Sequence, residues 1–133
     1  MRVVLDTNVL VSGLITPEGP CGRILRLLAD DVLQVCVDER ILAEYEAVLR
    51  RPEFRIDSED IAWVLDVIRE NGEAFSPMPM AAKLPDPRDV CFLEVAVAGE
   101  AILVTGNIRH FPSHARAGAR VLTPREFLDH LAM

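Results

Sequence analysis

The order of apolar runs in this sequence predicts an α/β fold built on a parallel sheet. Short runs rich in β-branched residues end in polar turns, as strands buried on both faces do. Stretches with apolar residues at helical spacing lie between them, and such alternation implies right-handed crossovers with helices on both faces. The length of 133 residues suits one domain at roughly 100 to 200 residues per domain. Area scaling gives a folded surface of about 7,000 Å² against roughly 21,000 Å² unfolded, enough burial without disulfides or a structural metal. A single domain over residues 1–133 is therefore expected.

Arg2 to Leu5 reads as the first strand and delivers Asp6 at its carboxyl end. Val9, Leu10 and Leu14 follow at helical spacing, Thr16-Pro17-Glu18-Gly19-Pro20 interrupts, and Ile24, Leu25, Leu27 and Leu28 resume the stripe, so two short helices are expected. Leu33 to Val37 is the second strand, and Asp38 is placed to cap a helix from about Glu39 to Arg50. Ser58 is the expected N-cap of the next helix, with Glu59 and Asp60 in a first turn whose dipole favours negative charge, and the helix stops near Asn71-Gly72. Pro77, Pro79, Pro85 and Pro87 make Ser76 to Pro87 a connecting segment. Asp89 is expected to cap a helix from Val90 to Ala98, with Gly99 at C′. Ala101 to Thr105 is the third strand and Arg120 to Leu122 a short further one. Thr123-Pro124-Arg125-Glu126 then combines a Thr N-cap, a Pro at the first helical position and a Glu three after the cap, opening a last helix with Phe127, Leu128 and Leu131.

A composition of 50% hydrophobic and 26% charged residues excludes disordered tails, collagen and low-complexity linkers. No apolar run approaches the roughly 18 residues that span a bilayer, and Asp6 interrupts the first run before a signal-peptide core forms. A cytoplasmic protein without membrane association is expected. Cys21, Cys36 and Cys91 lack C-x-x-C spacing and sit in apolar surroundings, as reduced packing residues do. The net charge of −7 disfavours nucleic acid on average. From Asn107 to Arg125, however, no residue is acidic, and Arg109, Arg116, Arg120 and Arg125 contribute +4. That stretch suits either a phosphate-contacting surface or a solvated basic loop pairing with acidic helices.

In open parallel sheets ligands bind outside the carboxyl ends of the strands, where strand order reverses. Asp6, Thr7 and Asn8 follow the first strand; Gly106 and Asn107 follow the third. If those strands are neighbours, Asp6 and Asn107 face each other, and Glu44 and Asp89, near helix starts, can reach the same edge. Converging carboxylates repel unless a cation sits between them, and oxygen ligands without His or Cys select Mg²⁺ or Mn²⁺. Such an ion suits phosphodiester hydrolysis. Each residue also has a plain alternative: Asp89 as a cap, Glu44 as a solvated side chain, Asp6 as a turn residue.

Asp6-Thr7-Asn8 after an N-terminal strand, Glu44 on a later helix, Asp86-Pro87-Arg88-Asp89 before an apolar helix, and Leu103-Val104-Thr105-Gly106-Asn107 near the end together resemble the PIN-domain family. Within it the likeness is to toxins of prokaryotic toxin–antitoxin systems, the VapC type among them. The resemblance implies a three-layer α/β/α fold with a five-strand parallel sheet, divalent-metal-dependent ribonuclease activity, a homodimer, and an antitoxin partner. It makes Asp6, Glu44 and Asp89 the metal-binding acids and Asn8 the polar companion of Asp6. Asn107 stands where the family commonly has Asp; its amide oxygen can ligate a hard cation but brings no charge. Asp86 is a possible further ligand or a turn residue. Thr105 and Ser12 can orient a ligating carboxylate, and Arg109 and His110 can stabilise charge on the scissile phosphate.

The expected mechanism is in-line attack by a metal-activated water on RNA, with Asp6, Glu44 and Asp89 holding the Mg²⁺ or Mn²⁺ and Asn107 helping. The antitoxin is expected near Leu14 to Leu28. An aspartyl-phosphate phosphatase would want a second Asp where Asn8 stands and a basic residue near the phosphate, yet Lys83 is the only lysine. The remaining alternative is a partner-binding module whose metal site Asn107 has weakened.

Overall fold

In the computed structural model, which describes Met1–Met133, β1 (Arg2–Leu5), β2 (Gln34–Val37), β3 (Glu73–Ala74), β4 (Ile102–Val104) and β5 (Val121–Leu122) form one sheet. All pairings are parallel and the order is β3-β2-β1-β4-β5. Val3, Val4 and Leu5 are fully buried, as a central strand requires. They pair with Ile102, Leu103 and Val104, so the order reverses between β1 and β4. The Asp6 amide donates to Val104 O at 2.9 Å and carries that ladder one residue beyond β1.

The sequence pattern predicts no strand at Glu73–Ala74. This two-residue edge strand has no apolar run to announce it; it is held from outside. The Phe75 amide donates to Val37 O at 2.9 Å. The Arg2 guanidinium donates to the Glu73 carboxylate and to Gly99 O, and lies 5.5 Å from the centre of the Phe75 ring.

Six helices flank the sheet: α1 (Thr7–Ile15), α2 (Pro20–Ala29), α3 (Glu39–Leu49), α4 (Ser58–Asn71), α5 (Val90–Gly99) and α6 (Pro124–Leu131). Right-handed crossovers put the helices of the β1-to-β3 half on one face and α5, which runs back toward β4, on the other. Accordingly α2 packs on α1, α4 and α6, while α5 lies across β1, β2 and β4. Most of α5 is buried, Glu94 included, in keeping with its largely apolar sequence. The total surface of 7306 Å² agrees with the size expected for one well-buried core.

Two expected helix ends shift. Asp57, not Ser58, is the N-cap of α4, because Ser58 already has helical geometry. Gly99 does not terminate α5 with a left-handed turn; Glu100 does, at φ 50°. The bareness of Gly99 serves packing instead, since a Cβ there would stand 3.1 Å from the Phe75 ring and 3.3 Å from the Cys36 sulfur.

Candidate functional site

Residues that precede helices here divide into those that cap and those that do not. Asp38 accepts from the Ile41 amide at 2.9 Å, and Asp86 from the Arg88 amide at 3.0 Å. Thr123 and Glu126 form a reciprocal capping box. Asp6 before α1 and Asp89 before α5 occupy the same position, yet neither carboxylate makes a cap bond. Asp89 thus corrects the expectation of a capping role. Both carboxylates are turned to other partners at the carboxyl edge of the sheet, beside the reversal of strand order.

Asp6 is laced to the end of β4. Its Oδ2 accepts from Thr105 Oγ1 at 2.8 Å and from Asn8 Nδ2 at 3.3 Å. The Asn107 amide donates to Thr105 Oγ1 at 3.0 Å, and the Gly106 amide to Asn8 Oδ1 at 2.9 Å. A Cβ on Gly106 would stand 3.2 Å from Asn8 Oδ1, so glycine permits that close approach. Behind the site the buried Tyr45 hydroxyl of α3 donates to Leu5 O and fixes the end of β1. Thr7, also buried, has an unpartnered hydroxyl.

Burial pushes the Asp6 carboxyl up to about 6; the Thr105 hydroxyl works against this, and the Asp89 charge adds to it. Burial also raises Asp89, opposed by its hydrogen bond with His110, whose Nδ1 lies 2.9 Å from Asp89 Oδ2. No lysine or arginine pairs with either acid.

The other predicted residues are spread around this pair. Glu44 is partly buried on α3 without a hydrogen bond, on a cleft of about 420 Å³ shared with Arg88 and Cys91. Its charge reaches Asp89, but no three His, Cys, Asp or Glu side chains converge closely enough to hold a metal as they stand. Asn107 is exposed and contributes through its backbone. Asp86 is tied to Arg88 at 3.0 Å, which lowers its pKa. Ser12 is exposed beside Cys21 of α2. Arg109 is exposed and forms no ion pair.

The acid-free basic stretch is not one surface. Arg116 donates to Phe111 O at 2.8 Å, and its charge reaches Glu126. Arg120 precedes β5 at the far end of the sheet, on a cleft with Glu100 and Ala117. Only Arg109 and Arg125 follow strands at the edge that carries Asp6.

Sequence reasoning missed a second charged cluster. Arg40 donates to Asp38 and to Glu94 at 2.6 Å each, and Glu94 also accepts from the Met80 amide at 2.7 Å. The available signal was a lone glutamate inside the apolar run of α5.

A family model described as the PIN domain matches residues 2–109. An uncharacterised protein of Methanocaldococcus jannaschii is 28% identical over 140 residues, covering 97% of this chain and 90% of its own. Two solved structures share the fold. One is a chain of VapBC2 from Rickettsia felis, bound to a DNA fragment from their promoter, at TM-score 0.57 and 19% identity over 92% of this chain and 98% of the other. The second is a domain of a functionally unknown protein from M. jannaschii, at TM-score 0.56 and 23% identity over 90% and 88%.

Proposed function

The chain belongs to the PIN-domain family, whose members are generally nucleases, and on that premise we propose that it is a divalent-metal-dependent ribonuclease hydrolysing RNA phosphodiester bonds. Residues 1–133 act as one domain. The observation that carries this reading is the pair of buried carboxylates, Asp6 and Asp89, released from capping and ion-paired with no lysine or arginine.

Two nearby acids with raised pKa values and oxygen-only donors fit a hard cation, Mg²⁺ or Mn²⁺. Mg²⁺ is usually held by one or two carboxylates with several waters, so a three-acid cage is not required. Asp6 and Asp89 would hold it, joined by Glu44 from α3 and by the Asn107 amide; Asp86 would join them only on leaving Arg88. When bound, the ion supplies an acidified water and stabilises phosphate charge.

The chain's own groups complete the arrangement. Thr105 and Asn8 engage Asp6 through Oδ2 and leave Oδ1 free. The amino ends of α1 and α5 meet at this edge, where their amides and dipoles favour a phosphate. Arg109 supplies an exposed cation beside them.

The likeness to a VapBC2 chain supports a toxin–antitoxin role. No helix is long and apolar enough to cross a membrane, and we place the activity in the cytoplasm, with a homodimer as the working assembly. The antitoxin would dock on the small groove between α1, α2 and α4, where Leu14, Leu25 and the half-exposed Trp63 meet. A second reading, a partner-binding module of the same fold, is favoured by the uncharged, exposed Asn107 and by Glu44 standing outside the acidic pair.

Incubating the purified protein with a mixed RNA pool in Mn²⁺, Mg²⁺ or EDTA, beside Asp6→Ala, tests the proposal. Metal-dependent cutting that disappears in the variant is expected. A folded protein that cuts none of several RNAs would favour the binding module.

A further inference from the structure

Of the residues after β4, the one whose side chain reaches Asp89 is His110, not Asn107. The short 3-10 turn Ile108–His110 follows Asn107 directly and is closed by the His110 amide donating to Asn107 O at 3.0 Å. That turn brings the imidazole to Asp89, where Nδ1 donates to Oδ2 at 2.9 Å. An ionised carboxylate only accepts, so this geometry assigns the proton to Nδ1. Asp89 Oδ1 has no partner within the chain.

Asp6 is held in a parallel way, by Oδ2 from Thr105 and Asn8, with Oδ1 left free. Thr105 and His110 both lie in the stretch after β4, so one stretch helps orient both acids, with Asn8 of α1 added at Asp6. Each carboxylate is gripped by one oxygen and leaves the other available. Carboxylates that ligate metals are oriented in this manner by neighbouring donors, and losing such a donor costs about 10- to 100-fold in metal affinity.

We propose that His110 is a positioning residue that acts through Asp89, and that it replaces the acid missing at Asn107 as the contribution of this turn to the cation site. This assignment rests on the ribonuclease reading and deepens it. It differs from a direct contact between His110 and the scissile phosphate, because the atom that matters is Nδ1 and its partner is a carboxylate of the chain.

The two roles separate in His110→Asn and His110→Ala. An Asn amide nitrogen can stand where Nδ1 stands, preserving the bond to Asp89 while removing the rest of the ring. Mn²⁺ binding by calorimetry, kcat and KM for RNA cleavage, and a thermal melt to verify folding are measured for both variants and the parent chain. Positioning predicts that His110→Ala binds Mn²⁺ about 10- to 100-fold more weakly, with a matching fall in kcat at low metal and little change in KM. His110→Asn should restore most of both. Mn²⁺ affinity unmoved in a folded His110→Ala, or a His110→Asn as impaired as His110→Ala, overturns the positioning role while leaving the nuclease reading intact. A parent chain that takes up no Mn²⁺ overturns the cation site itself and His110's role with it.

Discussion

The burial that lifts the Asp6 carboxyl from 3.8 to about 6 also determines how stability follows pH in the absence of metal. Between those values the folded state keeps a proton that the unfolded chain has lost, so stability falls as pH rises through that window and is level above it. The difference amounts to about 3 kcal/mol at neutral pH. Asp6→Asn keeps an oxygen for the Thr105 hydroxyl and removes the charge. Urea unfolding in EDTA should therefore find this variant more stable than the parent at pH 7 by up to about 3 kcal/mol, with the gap closing toward pH 4, while RNA cleavage is lost. A gap that persists unchanged in acid would mean that the charge of Asp6 is not what destabilises the fold. The position of Asp6 at the end of an apolar strand was legible in the sequence. Its hold by Thr105 was expected only as a role for Thr105, because the bond joins residues that come together through the β1–β4 pairing.

Among the helices, the contrast between capping and non-capping aspartates gives a direct comparison. Asp38→Ala removes a cap from α3 and a partner from Arg40, and should cost about 1 to 2 kcal/mol. Asp89→Ala removes no cap bond from α5, so chemical denaturation should find no loss of stability, or a gain, although cleavage falls. The two substitutions look alike in sequence, since each aspartate stands immediately before a helix; only the geometry tells them apart. The charged cluster behind α5 offers a second comparison. Arg40→Ala leaves Glu94 buried without its cation, and unfolding should show a loss of roughly 2 kcal/mol, less than a fully buried pair because Arg40 is half exposed. The capping box at Thr123 and the strands Arg2–Leu5 and Ile102–Val104 were readable because propensity and pattern agree there. Glu73–Ala74 was not, because tertiary pairing alone makes it a strand. Gly99 misled for a related reason: a glycine at a helix end signals a turn, whereas here it makes room for a ring.

For the whole molecule, a single core enclosing two of three thiols sets how the cysteines react. Burial pushes Cys36 to about 11 and Cys91 to about 12, while Cys21 is only partly covered. A thiol-titrating disulfide reagent should modify at most Cys21 in the native protein and all three in denaturant. Rapid native labelling of all three would contradict the packing around α5. The proposed cation site makes a prediction at the same scale. Mn²⁺ at a hundred times its dissociation constant should stabilise the fold by about 2.7 kcal/mol, visible as a higher melting temperature that Asp6→Asn does not share.

The bonds that join Asp6 to Thr105 and Asn8 to Gly106 span 99 and 98 positions of chain, and this separation governs when the site comes into being during synthesis. The ribosome makes Asp6 and Asn8 together, and Thr105 only 99 residues after Asp6. A nascent chain carrying everything through α5 has both acids but nothing after β4 to orient them, and β1 still lacks its β4 neighbour. The centre therefore assembles only once the stretch through His110 has cleared the exit tunnel. A chain cut short before that point leaves both acids unoriented, so the ordering of the strands itself ties the proposed activity to a completed β1–β4 pair.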